Sequence, residues 1–373
     1  TRVLELATGL AGPYCGSLLA DQGADVLKLE QPDGDHVRNW GPPFVAGVGA
    51  AFVALNRNKR IAPLPDTDTL FKLMRETDVV IVDAVDTDGN PPSIDLDAIR
   101  AEFPALIVCS ISAYGERGPL CSQPGSELTV QAMSNVCAGL GRIGEPPRRL
   151  GADQCTINTG LSAYQGIAAA LFRRERTGDG DRIAVSALGT ILAIKGPHWT
   201  CLSNPDQWPG MHLSVWTDPP DHGIATKDRP ILLWLADGVA RPATREQVTA
   251  LVEHFGGIMP AGLDLQAPHG SPGHPGHHSW RAFWSELFKD TPWEEIAQVA
   301  QQSGCEVTPW MDYLALDHHP QCEFLRPFVP LAGTGGHRVM RLPWRLGGDN
   351  GPLAYEPPRN SEAAWPDTVP APS

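Results

Sequence analysis

The first thirty residues constrain the fold most, because they contain a strand, a turn, a helix and a second strand in succession. Residues 2–6 alternate apolar and polar side chains as a strand does, and a turn with Gly12 and Pro13 then interrupts the pattern. Small residues at 14–22 predict a helix, and residues 24–30 predict the second strand. This is the sequence form of a parallel βαβ crossover, so we predict a doubly wound α/β fold.

The alternation of extended and helical segments continues up to residue 186. No G-x-G-x-x-G motif follows the first strand, so the dinucleotide-binding fingerprint is absent. We therefore predict a Rossmann-like sheet without that fingerprint. Further helices are predicted at residues 66–76, 96–102, 128–133 and 157–176, and strands at 79–82, 106–112 and 182–186.

The character of the chain changes after residue 188, where tryptophans lie among prolines and glycines. A strand is predicted there at 231–235, with helices at 244–255, 280–288 and 292–303. We predict three parts. They are a large Rossmann-like domain at 1–188, a smaller domain with its linkers at 189–330, and a carboxy-terminal segment at 331–373 that returns to the large domain.

Composition and charge argue against some classes of binding partner. The formal net charge of -14 would repel nucleic acid and an anionic membrane surface, so we predict neither as a partner. No apolar run approaches the roughly 20 residues that span a bilayer, and the chain opens on a strand rather than a signal peptide. We therefore predict a cytoplasmic protein. Its eight cysteines are scattered without a C-x-x-C pair, which indicates neither a zinc ribbon nor a disulfide framework.

Four histidines lie close together in one loop, a pattern that could suggest a metal site. His269, His274, His277 and His278 lie among prolines and glycines, without cysteines or carboxylates at regular helical spacing. Such a loop lacks a defined ligand geometry. We predict a surface loop and no metal site.

Four strings along the chain carry a resemblance to a known family. The four strings are residues 3–43, 55–60, 108–133 and 171–188, and a weaker fifth string covers residues 319–348. They occur in the family's order and spacing. The chain therefore resembles the family III CoA transferases, the CaiB/BaiF family, over nearly its whole length.

This resemblance implies an architecture and a class of substrate. Family members have a Rossmann-like large domain, a smaller domain inserted after a central helix, and two chains interlocked like rings. For this chain the expectation is an interlocked homodimer, or a heteromer with a related subunit. The implied small-molecule substrate is coenzyme A or an acyl-CoA.

The resemblance also implies which residues approach the phosphates of CoA. The matching positions are Arg38 and the 56–60 string with Asn56, Lys59 and Arg60. Arginine presents a planar fork to phosphate oxygens and lysine a mobile point charge, so both suit such a ligand. The alternative is a solvated basic loop or salt bridges between subunits.

The turn with Gly12 and Pro13 joins a strand to a helix amino terminus. Free backbone N–H groups at such a turn can hold anionic or carbonyl oxygens of a ligand. The alternative is that the glycine serves only close packing of the helix on the sheet.

The catalytic position of the family carries a different residue in this chain. In the family an aspartate before the central helix attacks the acyl-CoA thioester, and that position is Thr156 here. A threonine hydroxyl has no anionic form of low pKa. Asp153 could replace the missing carboxylate, or Cys155 could supply a thiolate. The competing interpretations are that Asp153 caps the helix and that Cys155 packs inward.

Two further positions bear on catalysis and on CoA binding. The family's racemase branch uses a histidine and an aspartate for catalysis. This chain has Glu127 in that region. Glu127 could act as a base, and the alternative is that it is an ordinary, partly exposed glutamate. The family's Asn-Phe-x-Pro-Gly string, which lines the pantetheine, is replaced by a stretch with acidic residues at 83, 86 and 88. Carboxylates there would repel a CoA phosphate.

Three hypotheses for function follow. The first is an aspartate-lacking subunit of a heteromeric CoA transferase that acts on an acyl-CoA or a carboxylic acid. The second is a repurposed lyase, isomerase or cyclase that does not use CoA. The third is a non-catalytic, ligand-binding homologue.

Overall fold

The chain forms two compact units in the computed structural model. The first comprises Thr1–Ser134, Leu150–Ile194 and Leu325–Ser373, and the second comprises Asn135–Arg149 and Lys195–Phe324. The residues that the structure describes are 1–85, 89–90, 94–137, 146–196, 223–237, 241–267, 273–274, 278–344 and 354–366.

Strands and helices alternate along most of the first unit, and the second unit also contains both. The strands are β1 (Arg2–Glu5), β2 (Asp25–Glu30), β3 (Phe44–Val45), β4 (Val48–Gly49), β5 (Arg60–Pro63), β6 (Val79–Asp83), β7 (Ile107–Ser112), β8 (Arg182–Ser186), β9 (Ile231–Trp234), β10 (Ala236–Asp237), β11 (Arg241–Pro242), β12 (Glu306–Pro309), β13 (Phe328–Pro330), β14 (Arg338–Met340) and β15 (Arg359–Asn360). The helices are α1 (Ala11–Asp21), α2 (Ala50–Leu55), α3 (Thr67–Arg75), α4 (Leu96–Glu102), α5 (Glu127–Met133), α6 (Gln154–Thr177), α7 (Ala187–Ile194), α8 (Arg245–His254), α9 (Arg281–Phe288), α10 (Trp293–Gln302), α11 (Tyr313–Asp317) and α12 (Pro320–Leu325).

The first unit is built on a seven-stranded sheet with the order β15-β5-β2-β1-β6-β7-β8. Every neighbouring pair in it is parallel, which confirms the predicted α/β class. The chain runs from β1 outward through β2 and β5 on one side, and through β6, β7 and β8 on the other. The carboxyl ends of β1 and β6 therefore form a topological switch point, the usual place for a ligand in such sheets.

Helices cover both faces of this sheet. Val3 and Val79 point toward α1 and α6, whereas their neighbours Leu4 and Val80 point toward α3 and α4. Because both faces are buried, the central strands are nearly continuous apolar runs rather than alternating ones. These two apolar layers hold the carboxyl ends of the strands in fixed positions.

A close contact between α1 and α6 fixes the beginning of the long helix. A Cβ added at Gly160 of α6 would lie 2.4 Å from the carbonyl oxygen of Ala11, so only glycine allows this approach. The helix α6 begins at Gln154, three residues before the predicted start, and ends at Thr177, which is followed by Gly178 in the left-handed conformation. The early start brings Thr156 into the first turn of the helix.

The carboxy-terminal segment completes the sheet and packs on the amino-terminal strand. The strand β15 pairs with β5, and the Nε1 of Trp365 donates to the carbonyl of Leu73 at 3.0 Å. The guanidinium groups of Arg2 and Arg60 lie 5.6 and 5.3 Å from the centre of the Trp365 ring. Both arginines therefore tie this segment to the sheet.

We expect the substitution Trp365→Ala to destabilise the protein by about 2–3 kcal/mol, because it removes one hydrogen bond, two cation–π contacts and apolar contact area. The matched variant Trp365→Phe keeps a ring and should lose about 1 kcal/mol. Urea unfolding of the three proteins measures both values. Equal unfolding midpoints for wild type and Trp365→Ala would contradict this role.

The second unit has its own core. The strand β9 pairs antiparallel with β12, and the helices α8, α9 and α10 pack around Trp284 and Phe288. Trp284 is 2% exposed and stacks on Phe288 with the ring centres 6.0 Å apart. The predicted strand at 231–235 and the three predicted helices are therefore present, each within two residues of its predicted bounds.

Candidate functional site

The candidate site lies where α5 meets the beginning of α6. The side chain of Ser126 accepts a hydrogen bond from the Thr129 N–H at 3.3 Å, and the Thr129 hydroxyl accepts one from the Ser126 N–H at 2.8 Å. This capping box fixes the start of α5 and the position of its first residue, Glu127. The carboxylate of Glu127 points at the free N–H groups that begin α6.

The Glu127 carboxylate is held by four hydrogen bonds. Its Oε1 accepts from the Cys155 N–H at 3.0 Å and from the Nε2 of Gln131 at 2.8 Å. Its Oε2 accepts from the Thr156 N–H at 2.8 Å and from the Thr156 hydroxyl. A negative group at a helix amino terminus is stabilised by the helix dipole. The carboxylate thus caps α6 from a neighbouring helix.

These hydrogen bonds keep Glu127 ionised. Burial alone would raise the pKa of this carboxyl, but the hydrogen bonds from Thr156, Gln131 and Cys155 outweigh it and lower the pKa below its usual value. An acid of low pKa is a weak base at neutral pH. The structure therefore favours a capping role for Glu127 over the role of a general base.

A pH dependence of stability follows from this lowered pKa. The stabilisation that Glu127 provides is fully present above the pKa of an unfolded glutamate, about 4.3, and is lost as the pH falls through the lower folded value. We expect the stability difference between wild type and Glu127→Gln to be constant from pH 7 to pH 5 and to shrink below pH 4. Urea unfolding of both proteins across this range measures it. A constant difference down to pH 3 would contradict the assignment.

The other predicted catalytic residues lie in or beside the same turn. Thr156 is half-buried, and its hydroxyl is bound to Glu127. Cys155 is fully buried against Val130 and α7, as the inward-packing interpretation expected. Asp153 occupies the position that caps α6, but its side chain forms no capping hydrogen bond. The prediction that Asp153 caps the helix was therefore wrong, because Glu127 takes those N–H groups.

Gln131 was missed by the sequence reasoning. Its side chain is fully buried, donates to Glu127, and exchanges two hydrogen bonds with the backbone of Leu150, at 3.0 and 3.3 Å. It therefore joins α5 to the segment that leads into α6. Its place one helical turn after Glu127 was the signal that could have identified it.

Gly12 and Pro13 were predicted in a turn before the first helix, but they lie in the first turn of α1, which begins at Ala11 rather than at residue 14. A Cβ at Gly12 would lie 2.2 Å from the Cβ of Ala7, so this glycine is required for packing of α1 on the sheet. Both Gly12 and Pro13 are buried, and the carbonyl of Pro13 accepts from the Nζ of Lys59 at 2.7 Å. The geometry agrees with the packing alternative. Ligand binding by these two residues stays a prediction.

A buried network of charges lies beneath this turn. Lys59 donates to Glu5 at 2.8 Å and to Asn56 at 2.9 Å, and Lys28 forms ion pairs with Glu5 and Asp35, both at 3.1 Å. The two carboxylates and two ammonium groups balance. Burial lowers the pKa of Lys59 to about 8, with Lys28 and Arg57 adding to the effect and Glu5 opposing it.

This network changes the interpretation of the basic string at 55–60. Lys59 and Asn56 are each 1% exposed, so in this conformation neither offers a contact to a phosphate of a ligand. Arg60 binds Asp25 through two hydrogen bonds of 3.0 Å. Arg38 is 29% exposed and binds Glu30, and it is the predicted phosphate-binding residue with the most accessible side chain.

The switch point between β1 and β6 carries another carboxylate. Asp83 ends β6, and its Oδ2 accepts from the N–H and the hydroxyl of Thr8 at 2.8 and 3.0 Å. Burial raises the pKa of Asp83 to about 6, although the hydrogen bonds from Thr8 lower it. The other acidic residues predicted in this stretch, at 86 and 88, lie outside the described residues.

The described residues contain neither a cluster of metal ligands nor a helix suited to crossing a membrane. No group of three or more His, Cys, Asp and Glu side chains there could hold a metal ion. His269 and His277 of the histidine loop are outside the described part of the chain. No described helix combines the length and the apolar character that a membrane crossing needs.

Comparisons with known proteins agree with this architecture. A sequence profile described as CoA-transferase family III matches residues 1–363. The chain is similar to a crystal structure of a CaiB/BaiF family protein from Brucella suis, with a TM-score of 0.76 and 25% identity over 96% of this chain and 95% of that one.

Curated relatives match over part of their length. The chain is 37% identical to the succinate–glutarate CoA-transferase of Agrobacterium fabrum over 205 residues, 52% of this chain and 51% of that protein. It is 32% identical to the human succinyl-CoA:glutarate CoA-transferase over 242 residues, 62% of this chain and 55% of that protein. The chain thus spans about half the length of these relatives. Because the profile covers almost the whole sequence, the chain belongs to CoA-transferase family III.

Proposed function

We propose that this chain binds an acyl-CoA or a carboxylic acid and is the aspartate-lacking subunit of a heteromeric CoA transferase. The observation that carries the proposal is the contact between Thr156 and Glu127 at the start of α6. A threonine stands where the family's nucleophile is expected, and its hydroxyl is bound to a carboxylate. The relatives named as CoA-transferases for succinate and glutarate support a dicarboxylic acid as substrate.

Two side chains near Thr156 are poor replacements for the missing nucleophile. Each oxygen of the Glu127 carboxylate accepts two hydrogen bonds, which would have to rearrange before that oxygen could attack a thioester. Cys155 is 0% exposed, so its sulfur cannot reach a substrate without movement of the helix. If a partner chain supplies the aspartate, this chain can retain the family fold and the start of α6 although it has no nucleophile of its own.

Exposed apolar side chains in the second unit support a partner chain. Trp310, Tyr313, Leu314 and Phe324 are 56%, 91%, 78% and 79% exposed within one stretch of fifteen residues. Large apolar groups gathered on a surface are typical of protein interfaces. We propose that this stretch is covered by a related subunit, in the interlocked arrangement that the family resemblance implies.

The test uses the chain isolated alone and the complex purified from the cells that make it. Each sample is titrated calorimetrically with CoA, incubated with succinyl-CoA, and analysed by peptide mass spectrometry. We expect the isolated chain to bind CoA without a covalent adduct, and the complex to carry an adduct on an aspartate of a second family member. An adduct on Asp153 of the isolated chain, or transferase activity of that chain alone, would overturn the proposal.

A repurposed enzyme that does not use CoA is the second candidate. The burial of Lys59 and Asn56 favours it, because these residues then contribute nothing to the binding of CoA phosphates. On this hypothesis the isolated chain and the complex would both fail to bind CoA. The titration therefore separates the two candidates, and CoA binding without any activity in the complex would leave the non-catalytic homologue.

A further inference from the structure

The carboxylate of Asp35 joins two loops at the carboxyl ends of the neighbouring strands β1 and β2. Its side chain is 0% exposed, and its Oδ1 accepts from the Gly9 N–H at 3.2 Å and from the Val37 N–H at 3.1 Å. Gly9 belongs to the turn between β1 and α1, whereas Val37 belongs to a short 3₁₀ helix, His36–Asn39, that follows β2. One buried oxygen atom therefore connects the two loops.

The ammonium group of Lys28 holds this carboxylate in place from within the sheet. Its Nζ lies 3.1 Å from the Oδ2 of Asp35 and 3.1 Å from the Oε1 of Glu5, and it donates to the Ala7 carbonyl at 2.6 Å. Burial alone would lower the pKa of Lys28, but Glu5 and Asp35 outweigh it and raise the pKa above its usual value. The lysine thus stays charged. The β1–α1 turn is held at Ala7 by Lys28 and at Gly9 by Asp35.

The 3₁₀ helix that Asp35 caps carries Arg38. The guanidinium of Arg38 lies 4.0 Å from the centre of the Phe52 ring, and its Nε donates to Glu30 at 2.9 Å. The side chain is nevertheless 29% exposed, and the family resemblance places it at the phosphates of CoA. A ligand that contacts both Arg38 and the β1–α1 turn needs the two at a fixed separation. Asp35 is the side chain that bonds to both loops.

We propose that Asp35 is a positioning residue: without touching the ligand, its carboxylate holds the β1–α1 turn and Arg38 in the arrangement in which both can contact one ligand. The separation is then fixed before binding, so the ligand does not have to order two loops. This inference rests on the proposed function, because CoA is the ligand of the binding test. A second test needs no ligand.

The binding test compares wild type with Asp35→Ala and with a variant that loses stability elsewhere. Asp35→Ala removes the acceptor of both N–H groups. Calorimetric titration with CoA should give a Kd about 10- to 100-fold higher for Asp35→Ala. The control is Trp365→Ala, since Trp365 contacts Arg2 at the opposite end of β1, and its Kd should equal that of wild type. If Asp35→Ala is too unstable to purify, Lys28→Met/Asp35→Ala removes the whole ion pair and takes its place.

The double variant Asp35→Ala/Arg38→Ala separates positioning from a general loss of structure. Arg38→Ala alone should raise the Kd for CoA about 10-fold, because a charged contact to the ligand is lost. Since Asp35 acts through Arg38, the further substitution Asp35→Ala should then raise the Kd by less than about 3-fold. The same fold-change from Asp35→Ala with and without Arg38 would overturn the inference. An unchanged Kd in either single variant would also overturn it, and would leave the proposed function standing.

Amide exchange decides the inference if wild type binds no CoA and the proposed function fails. Hydrogen–deuterium exchange with peptide mass spectrometry reports the protection of the Gly9 and Val37 amides. In Asp35→Ala we expect the peptides that cover residues 7–13 and 36–40 to exchange about 10-fold faster, both together, because each N–H loses its acceptor. In Trp365→Ala they should exchange as in wild type. Unchanged exchange, or faster exchange of one peptide alone, would show that Asp35 does not hold the two loops together and would overturn the inference.

Discussion

Replacing Lys59 by methionine is expected to destabilise the protein by about 3–5 kcal/mol, because it leaves the carboxylate of Glu5 without one of its two buried ammonium partners. Lys59 and Glu5 are both 0% exposed at their side chains, so water cannot compensate for the lost charge. The Nζ of Lys59 also binds Asn56 and the Pro13 carbonyl, and these two acceptors would lose their donor. Urea unfolding of wild type and Lys59→Met measures the loss.

The control is Lys289→Met, which removes the same charge at a side chain that is 53% exposed. Its stability should stay within about 0.5 kcal/mol of wild type, as is typical for surface substitutions. If Lys59→Met is too unstable to purify, the double variant Glu5→Gln/Lys59→Met should recover part of the stability, because no charge is left unpaired at this contact. A loss of less than 1 kcal/mol for Lys59→Met would contradict the buried network.

Restoring a carboxylate at position 156 is expected to change the covalent chemistry of the isolated chain from no adduct to an adduct with CoA. In wild type no acyl or CoA adduct should form with succinyl-CoA. In Thr156→Asp the new carboxylate can attack the thioester carbonyl, displace the CoA thiolate and give an acyl anhydride. The acyl anhydride that forms first is short-lived, because the displaced CoA thiolate can attack its aspartyl carbonyl, release succinate and leave an aspartyl-CoA thioester. Peptide mass spectrometry after incubation with succinyl-CoA measures the labelled fraction at this position.

In Thr156→Asp the new carboxylate lies beside the carboxylate of Glu127, and the two negative charges repel each other. Two carboxylates that share one set of donors raise the pKa of the pair, so one of them would hold a proton near neutral pH. The double variant Glu127→Gln/Thr156→Asp removes this repulsion, and Thr156→Asn is the uncharged control, for which no adduct is expected. If both variants with the new carboxylate bind CoA and remain unlabelled, the chain has lost more of its transferase site than one aspartate.

The central sheet could be predicted from the sequence because its signal is local. Residues 79–82 are four consecutive apolar residues, and the structure places them in β6 with both faces covered. In contrast, β5 and β15 were missed. The strand β5 opens with the end of a basic string, and β15 is two residues long, so neither has the periodic pattern on which such a prediction depends.

In the site, too, the local sequence did not reveal which groups the side chains contact. The position of Thr156 could be identified from a string of neighbouring residues, but its contact with Glu127 joins residues 29 positions apart. Lys59 was predicted to approach the phosphates of CoA because its string resembles the family's phosphate-binding positions. Its partner Glu5 lies 54 positions away, and nothing in the local sequence indicates that pairing. Burial of a charge is decided by the tertiary fold.

The pairing of β15 with β5 has a consequence for the order in which the protein folds during synthesis. The strand β15 (Arg359–Asn360) completes the edge of the sheet by pairing with β5 (Arg60–Pro63). Since β15 is synthesised only after the second unit, β5 has no partner on that side until then. About 300 residues separate the two strands, which at translation rates of 5–20 residues per second takes about 15–60 s. During this interval the nascent chain presents an unpaired strand edge, a surface that chaperones bind and that other chains can join.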